Sequence, residues 1–279
     1  MSSVFQKGGA NETITLMGIV NLSPDSFYKE SRSFSVKEAL LLAERHIEEG
    51  ASILDIGAES SRPGSQAIFE SLELERLLPV VSQIRKRFGV AVSVDTYKPH
   101  VVEGVLSAGA SIINDITGLQ RYGETAKIIA RYRAGVILMH MRGTPGTMQD
   151  QPQYVDLIGE VKNYLKKSIG LAKGAGIEKI AIDPGIGFGK TRFHNLELIR
   201  RLEEFKELGQ PILLGASRKS FIGDILDLPV EARLEGSLTA AVIGVLNGAT
   251  IIRTHDVEAT GRAVKMARAI MKENEAVES

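Results

Sequence analysis

Eight short apolar runs punctuate the chain, and each ends at or near a polar residue that opens a loop of Gly, Pro, Ser or Asn. They are "TLMGIVN" to Asn21, "SILDIG" around Asp55, "VAVSVDT" to Asp95 and "SIINDI" around Asn114. "GVILMH" to His140, "IAIDPG" at Asp183, "PILLGAS" to Ser217 and "ATIIRTH" to His255 complete the set. Each run is apolar at nearly every position, the pattern of a parallel strand covered by helices on both faces. Between runs the period becomes helical. "SVKEALLLAERHIEEGA" opens at Ser35 as N-cap, spaces its apolar residues three and four apart and closes on Gly50. "ESLELERLLPVVSQIRKRFG" repeats that spacing, with Pro79 expected to kink or divide the helix. "HNLELIRRLEEFKELGQ", "EARLEGSLTAAVIGVLNGA" and "DVEATGRAVKMARAIMKENEA" follow suit. The stretch "SLTAAVIGVLNGA", read as helix seven, is small and apolar, which suits either a covered outer face or packing on the sheet.

Strand and helix therefore alternate eight times, and no linker, charge block or low-complexity run interrupts the order. Alternation predicts right-handed βαβ units, and eight of them predict an α/β fold, a single (β/α)₈ barrel with its active site at the C-terminal face of the strands. One domain over residues 1–279 is expected, with 1–13 as an N-terminal extension and 272–279 as a frayed tail. The competing open doubly wound sheet calls for a G-x-G-x-x-G turn after the first strand, and none is there.

A barrel of this kind brings Asn21, Asp95, Asn114, Asp183, Lys219 and His255 to one rim. A polar residue ending a single strand is more often a cap or turn former; one at the end of every strand points to a site. Asp95, Asn114 and Asp183 offer acceptors plus one amide that can give and take. That set suits the edge of a flat heterocycle bearing amino and ring N–H donors. "GASRKSFIG" places Ser217, Arg218, Lys219 and Ser220 where a helix is expected to start, a position that favours an anion. In "IIRTHD", Arg253 and His255 alternate onto one side and suit a diphosphate or triphosphate. "NLSPDSF" and "ESSRPGS" read as polar first and second loops able to close over the site. His46 and His100 read as surface residues of helices, and His140 as a second layer behind the pocket. No G-x-S-x-G elbow or H-E-x-x-H spacing is present, so covalent and zinc-hydrolase chemistry find no support.

Composition narrows the setting. The 279 residues include 34 basic and 34 acidic side chains, so no broad field advertises nucleic acid or anionic membrane. The absence of cysteine excludes disulfides and thiolate chemistry. No basic-then-apolar leader pattern opens the sequence and no apolar run approaches membrane-spanning length, so a soluble cytoplasmic protein is expected.

"MGIVNLSPDSF", "ILDIGAESSRPGS", "SVDTYKP", "IINDI", "ILMHMRGTPGTMQ", "IDPGIGFGK", "LLGASRKSFIG" and "IIRTHDV" together resemble the dihydropteroate synthase family, in order and spacing, from about Met17 to His255. The resemblance implies a (β/α)₈ barrel, usually a homodimer, acting in folate synthesis with Mg²⁺. Such enzymes join 6-hydroxymethyl-7,8-dihydropterin diphosphate to 4-aminobenzoate, and sulfonamides act as competitive analogues. By this resemblance Asp95, Asn114, Asp183 and Lys219 bind the pterin, with Arg218 against its ring system. Asn21, Ser61, Arg253 and His255 hold the diphosphate, Asn21 also lying near Mg²⁺. Ser61, Arg62, Pro63, Phe188 and Ser220 frame the aminobenzoate, and Asp25 and Phe27 belong to the closing first loop. Asp95, Asp183, Lys219, Arg253 and His255 are the expected catalytic set. The chain departs from the family pattern in two ways. Ser23 and Ser61 stand where Thr is usual, and "YKESRSFS" replaces a Ser-Asp-Gly-Gly stretch. A methyltetrahydrofolate–corrinoid methyltransferase shares the Asp/Asn/Asp pocket but has no use for "SRPGS", "SRKSFIG" and "RTHD". The other alternative is a non-catalytic pterin-binding paralogue.

Overall fold

The computed structural model describes Phe5 and residues 14–22, 36–60, 64–144, 146–148 and 151–271. Each apolar run becomes a strand: β1 (Thr15–Asn21), β2 (Ile53–Gly57), β3 (Ala91–Asp95), β4 (Ile112–Asp115), β5 (Gly135–Met139), β6 (Ile180–Asp183), β7 (Leu213–Leu214) and β8 (Ile251–Thr254). All pair in parallel in the order β6-β5-β4-β3-β2-β1-β8-β7, and a parallel bridge between Ile182 and Ile212 brings the two ends of that order together. The result is the expected (β/α)₈ TIM barrel. Its outer ring contains α1 (Val36–Glu48), α2 (Glu70–Arg87), α3 (Pro99–Ser107), α4 (Gly123–Arg131), α5 (Leu157–Gly174), α6 (Arg192–Arg200), α7 (Ser220–Leu226), α8 (Leu234–Leu246) and α9 (Val257–Met271). A large apolar core fills the space between strands and helices.

Local chemistry explains several boundaries. Asp156 caps α5 by accepting from the Gly159 amide, and Thr191 with His194 forms a reciprocal capping box on α6. Four expectations need correction. Pro79 does not divide α2, which runs unbroken over Glu70–Arg87. Pro79 and Glu75 both lie on the exposed face, where water can satisfy the carbonyl that the proline leaves without a donor. The sixth helical pattern splits at Arg201 into α6 and a 3₁₀ segment, Leu202–Leu208. Its buried residues Leu202, Phe205 and Leu208 recur every third position, matching a three-residue turn. The "SLTAAVIGVLNGA" helix is eighth rather than seventh, because the seven-residue α7 precedes it. His46 is not on the surface: it is 2% exposed, and its Nε2 lies 3.1 Å from the Ile19 carbonyl. It belongs to the buried stripe Ala39, Leu40, Ala43 and His46 of α1, and its ring packs so close to Gly18 that a Cβ there would meet it at 2.9 Å.

The inside of the ring is layered. Its lower end is apolar: Met17, Ile53, Ile112, Ile137, Ala181, Leu213 and Ile251 pack together, with Phe5 and Ala91 against them. Strand side chains two residues apart share a face. One step toward the C-terminal ends, the same inward positions are therefore Ile19, Asp55, Ser93, Asn114, Met139, Asp183, Gly215 and Arg253. The interior changes from hydrocarbon to charge within one step.

Candidate active site

Above the apolar layer a cleft of about 460 Å³ opens at the C-terminal ends of the strands. Asn21, Asp95, Asn114, Asp183, Phe188, Arg218, Lys219, Ser220, Arg253 and His255 all line it, so residues scattered over more than 230 positions converge as expected. Asp25, Phe27, Ser61, Arg62 and Pro63 lie outside the described residues. Ile116, Met139 and Met148 give the cleft an apolar wall suited to a flat ring.

Asp55 organises the floor, although its place inside an apolar run hid it among ordinary strand residues. It is fully buried and accepts from Arg253 Nε at 2.7 Å, Ser93 Oγ at 2.6 Å and Asn114 Nδ2 at 3.2 Å. That bond orients the Asn114 amide, whose Oδ1 is buried with no hydrogen-bond partner. Arg253 also reaches Asp95, with NH2 3.6 Å from Oδ2. Burial and the nearby Asp55 charge push Asp95 up to about 7, opposed by Arg253. Burial works against the charge on Arg253, but Asp55 and Asp95 outweigh it and hold its pKa above the ordinary value.

Asp183 answers to a different group. Its Oδ1 accepts from the Gly185 amide at 2.7 Å, and burial raises its pKa against the opposing pull of Lys219. Gly185 has φ +74°, and a Cβ there would strike the His140 carbonyl, so this turn demands glycine. Lys219 donates to the Ile186 carbonyl and sits 4.7 Å from the Phe188 ring centre. Burial, reinforced by Arg253 and opposed by Asp183, brings Lys219 down to about 8.

The mouth carries the anion-binding groups. Burial, with Arg253 adding to it, lowers His255 to about 3, so its imidazole is neutral. The Ser217 hydroxyl accepts from the His255 amide at 3.2 Å and lies 3.0 Å from Nδ1; we assign its hydrogen to Nδ1, which leaves Nε2 as donor. Arg218 is held flat by a two-pronged contact to Asp256, Nε to Oδ2 at 2.9 Å and NH2 to Oδ1 at 2.7 Å. His140 stands behind the cleft as expected, its Nδ1 2.8 Å from Lys190 Nζ, which also donates to the Phe188 carbonyl at 2.9 Å. Burial and the charge of Lys219 hold Lys190 well below the ordinary lysine value, despite Asp183.

Known proteins resemble this chain along most of its length. Residues 17–255 match the family described as pterin binding enzyme. A dihydropteroate synthase of Escherichia coli is 44% identical over 267 residues, covering 94% of this chain and 94% of that protein. The chain belongs to the dihydropteroate synthase family. A Yersinia pestis dihydropteroate synthase, solved with a sulfonamide drug complex, superposes with a TM-score of 0.88 at 41% identity, covering 92% of this chain and 94% of that one. The Xanthomonas albilineans dihydropteroate synthase with 4-aminobenzoic acid gives 0.87 at 39% identity, over 93% and 94% of the two chains. In this member of the dihydropteroate synthase family, Asp55 and Lys190 are two buried ionisable residues beside the cleft that motif reading left out. A carboxylate on the inward parity of β2 and a lysine closing "GFGK" were the available signals.

Proposed function

We propose that the chain joins 6-hydroxymethyl-7,8-dihydropterin diphosphate to 4-aminobenzoate, giving 7,8-dihydropteroate and diphosphate. The observation that carries this reading is the mixed layer at the cleft floor, where Asp95, Asn114 and Asp183 offer acceptors beside the cations Lys219 and Arg253. Asp95, the orphaned Asn114 Oδ1 and Asp183 accept from the pterin's amino and ring N–H groups, and Lys219 donates to its ring oxygen and nitrogen acceptors. The planar guanidinium of Arg218 lies along the ring system. Asn21, Ser61, Arg253 and the Nε2 donor of His255 take the diphosphate. Ser61, Arg62, Pro63, Phe188 and Ser220 frame the aminobenzoate, with Asp25 and Phe27 in the loop that closes over both. The diphosphate groups give the methyltransferase alternative no advantage.

The chemistry follows from that placement. The bond from the methylene carbon to the diphosphate oxygen breaks, and its electron pair leaves with diphosphate. Positive charge spreads into the pterin ring, where the carboxylates of Asp95 and Asp183 stabilise it, while Arg253 and His255 hold the departing anion. The arylamine nitrogen then forms the new C–N bond and releases a proton to solvent. An arylammonium is acidic enough to need no dedicated base.

Among the described residues no group of three His, Cys, Asp or Glu side chains could cage a metal. Asn21 Oδ1 and Asp95 Oδ2 instead flank the bare face of Gly57, 3.6 and 3.9 Å from where its Cβ would be. Hard oxygen donors of this kind fit a Mg²⁺ brought in by diphosphate oxygens and held here through Asn21. When bound, that ion neutralises charge on the leaving group. We also read the chain as one cytoplasmic barrel domain that pairs as a homodimer. Exposed Ile243 and Leu246 of α8 and Met266 and Ile270 of α9 support the pairing, and no helix among the described residues is long and apolar enough to cross a membrane.

A coupled assay tests the function. Diphosphate release should require both substrates, fall on chelation and return with Mg²⁺. Release from the pterin substrate at the same rate without the amine contradicts the proposal.

A further inference from the structure

A second buried charge cluster lies behind the loop that joins β2 to α2. At its centre is Lys98, which precedes α3 and is 6% exposed. Its Nζ lies 2.5 Å from Glu59 Oε2, 2.7 Å from Glu73 Oε2 and 2.7 Å from the Ile68 carbonyl. An ammonium has three N–H bonds, and three acceptors take them. Glu59 Oε2 also accepts from the Ile68 amide at 2.9 Å, and Oε1 accepts from Tyr97 Oη at 3.2 Å. Glu59 sits where the loop leaves β2, Ile68 where it returns, and Glu73 in the first turn of α2. One side chain from the β3 loop therefore ties the entry of the β2 loop to its exit and to the next helix.

Stability alone gives little reason for this arrangement. Burying one lysine with two glutamates costs desolvation that their attraction only partly returns, and an apolar set of the same volume often does as well. The effect of burial is visible in Glu73, whose pKa it raises even with Lys98 alongside. What the cluster adds is direction. A lysine with all three donors engaged fixes the backbone at Ile68 and the side chain of Glu59, and Glu59 and its neighbour Ser60 line the cleft.

We propose that Lys98 is a positioning residue for the second substrate: it ties Glu59 to the backbone at Ile68 so that the cleft wall at Glu59 and Ser60 is in place for the aminobenzoate. This rests on the function proposed above, in which that loop frames the amine. Lys98 touches neither substrate. Its removal therefore raises the amine's KM and leaves the pterin floor intact.

The test uses the full-length protein carrying Lys98→Met with Glu73→Gln, which keeps the buried charge balanced. KM for 4-aminobenzoate should rise at least tenfold, with kcat within about threefold and the Kd for dihydropterin diphosphate alone within about twofold. Amide exchange at residues 64–68 should quicken at least tenfold. Glu73→Gln alone keeps Lys98 on Glu59 and Ile68 and should move the amine's KM by less than twofold. Glu59→Gln, a milder change, should raise it about threefold and serves if the double variant fails to fold. Unchanged exchange at 64–68, or an equal weakening of both substrates, overturns the proposal. A parent protein that releases no diphosphate with both substrates present overturns the function instead, and exchange at 64–68 still decides the tether.

Discussion

Two levels of the same barrel interior, one strand step apart, obey opposite rules. The lower level, built on Met17, Ile53, Ile112, Ile137, Ala181, Leu213 and Ile251, is an apolar cluster of fully or almost fully buried side chains. Two residues further along the same strands stand Asp55, Asn114, Asp183 and Arg253, buried or nearly so, with Asp55 accepting from Asn114 and Arg253 and Asp183 accepting from the Gly185 amide. Below, each side chain contributes by leaving water and filling volume. Above, each charge costs free energy to bury, and that cost moves Asp95, Asp183, Lys219 and His255 from their ordinary titration ranges. Support and function are separated along the barrel axis by a single alternation of the pleat. Changes in the two levels should therefore fail in different ways.

The largest difference is expected at Asp183. Asp183→Asn keeps the volume but removes a carboxylate that lines the cleft, so kcat/KM should fall by roughly 100-fold or more, while Tm stays within a few degrees. Steady-state kinetics beside a thermal melt measures both. Ile53→Ala is the reverse case: it empties part of the fully buried lower level and should cost about 2–5 kcal/mol of folding free energy, read from urea unfolding. The kcat of the molecules that remain folded should be unchanged. A lower-level truncation that cuts kcat as deeply as Asp183→Asn would erase the distinction.

A smaller effect separates the levels by pH. Asp95 titrates near 7 and Lys219 near 8 in the free protein, so the state with an ionised carboxylate and a charged lysine is best populated between them. kcat/KM for the pterin substrate should therefore peak in that narrow interval and decline on both sides. Asp95→Asn should lower the whole profile and remove its acid limb. Stability carries the matching sign. Between the ordinary carboxylate value, about 4, and about 7, folded Asp95 keeps a proton that the unfolded chain has lost. Its contribution to stability therefore declines as pH rises through that interval. Asp95→Asn should flatten the slope of the unfolding midpoint against pH.

The architecture was legible because all eight strands are continuous apolar runs and their polar ends mark one face of the barrel. Asp95, Asn114, Asp183, Lys219, Arg253 and His255 were legible for the same reason: a polar residue at the end of one strand can be a cap or turn former, but polar residues at the ends of all eight converge on one cleft. Asp55 was not, because it lies inside a run, and its inward direction depends on which alternation faces the barrel axis. Only the register that pairs Ile53 with Ala91 and with Met17 settles that. His46 read wrongly as a surface residue because its ring fills the space left by Gly18, twenty-eight residues away and on another element. Lys98 read as one more residue of "SVDTYKP"; its three acceptors come from residues 59, 68 and 73, a convergence that only the folded loop creates.

The central claim is that recognition resides in the upper level and the lower level only carries it. Ligand-induced stabilisation by dihydropterin diphosphate measures this directly, because a ligand raises Tm only where it binds the folded state. The unsubstituted protein and Ile53→Ala should gain similar increments in Tm from different starting points, and Asp183→Asn should gain almost none. Equal increments in all three proteins would contradict the account.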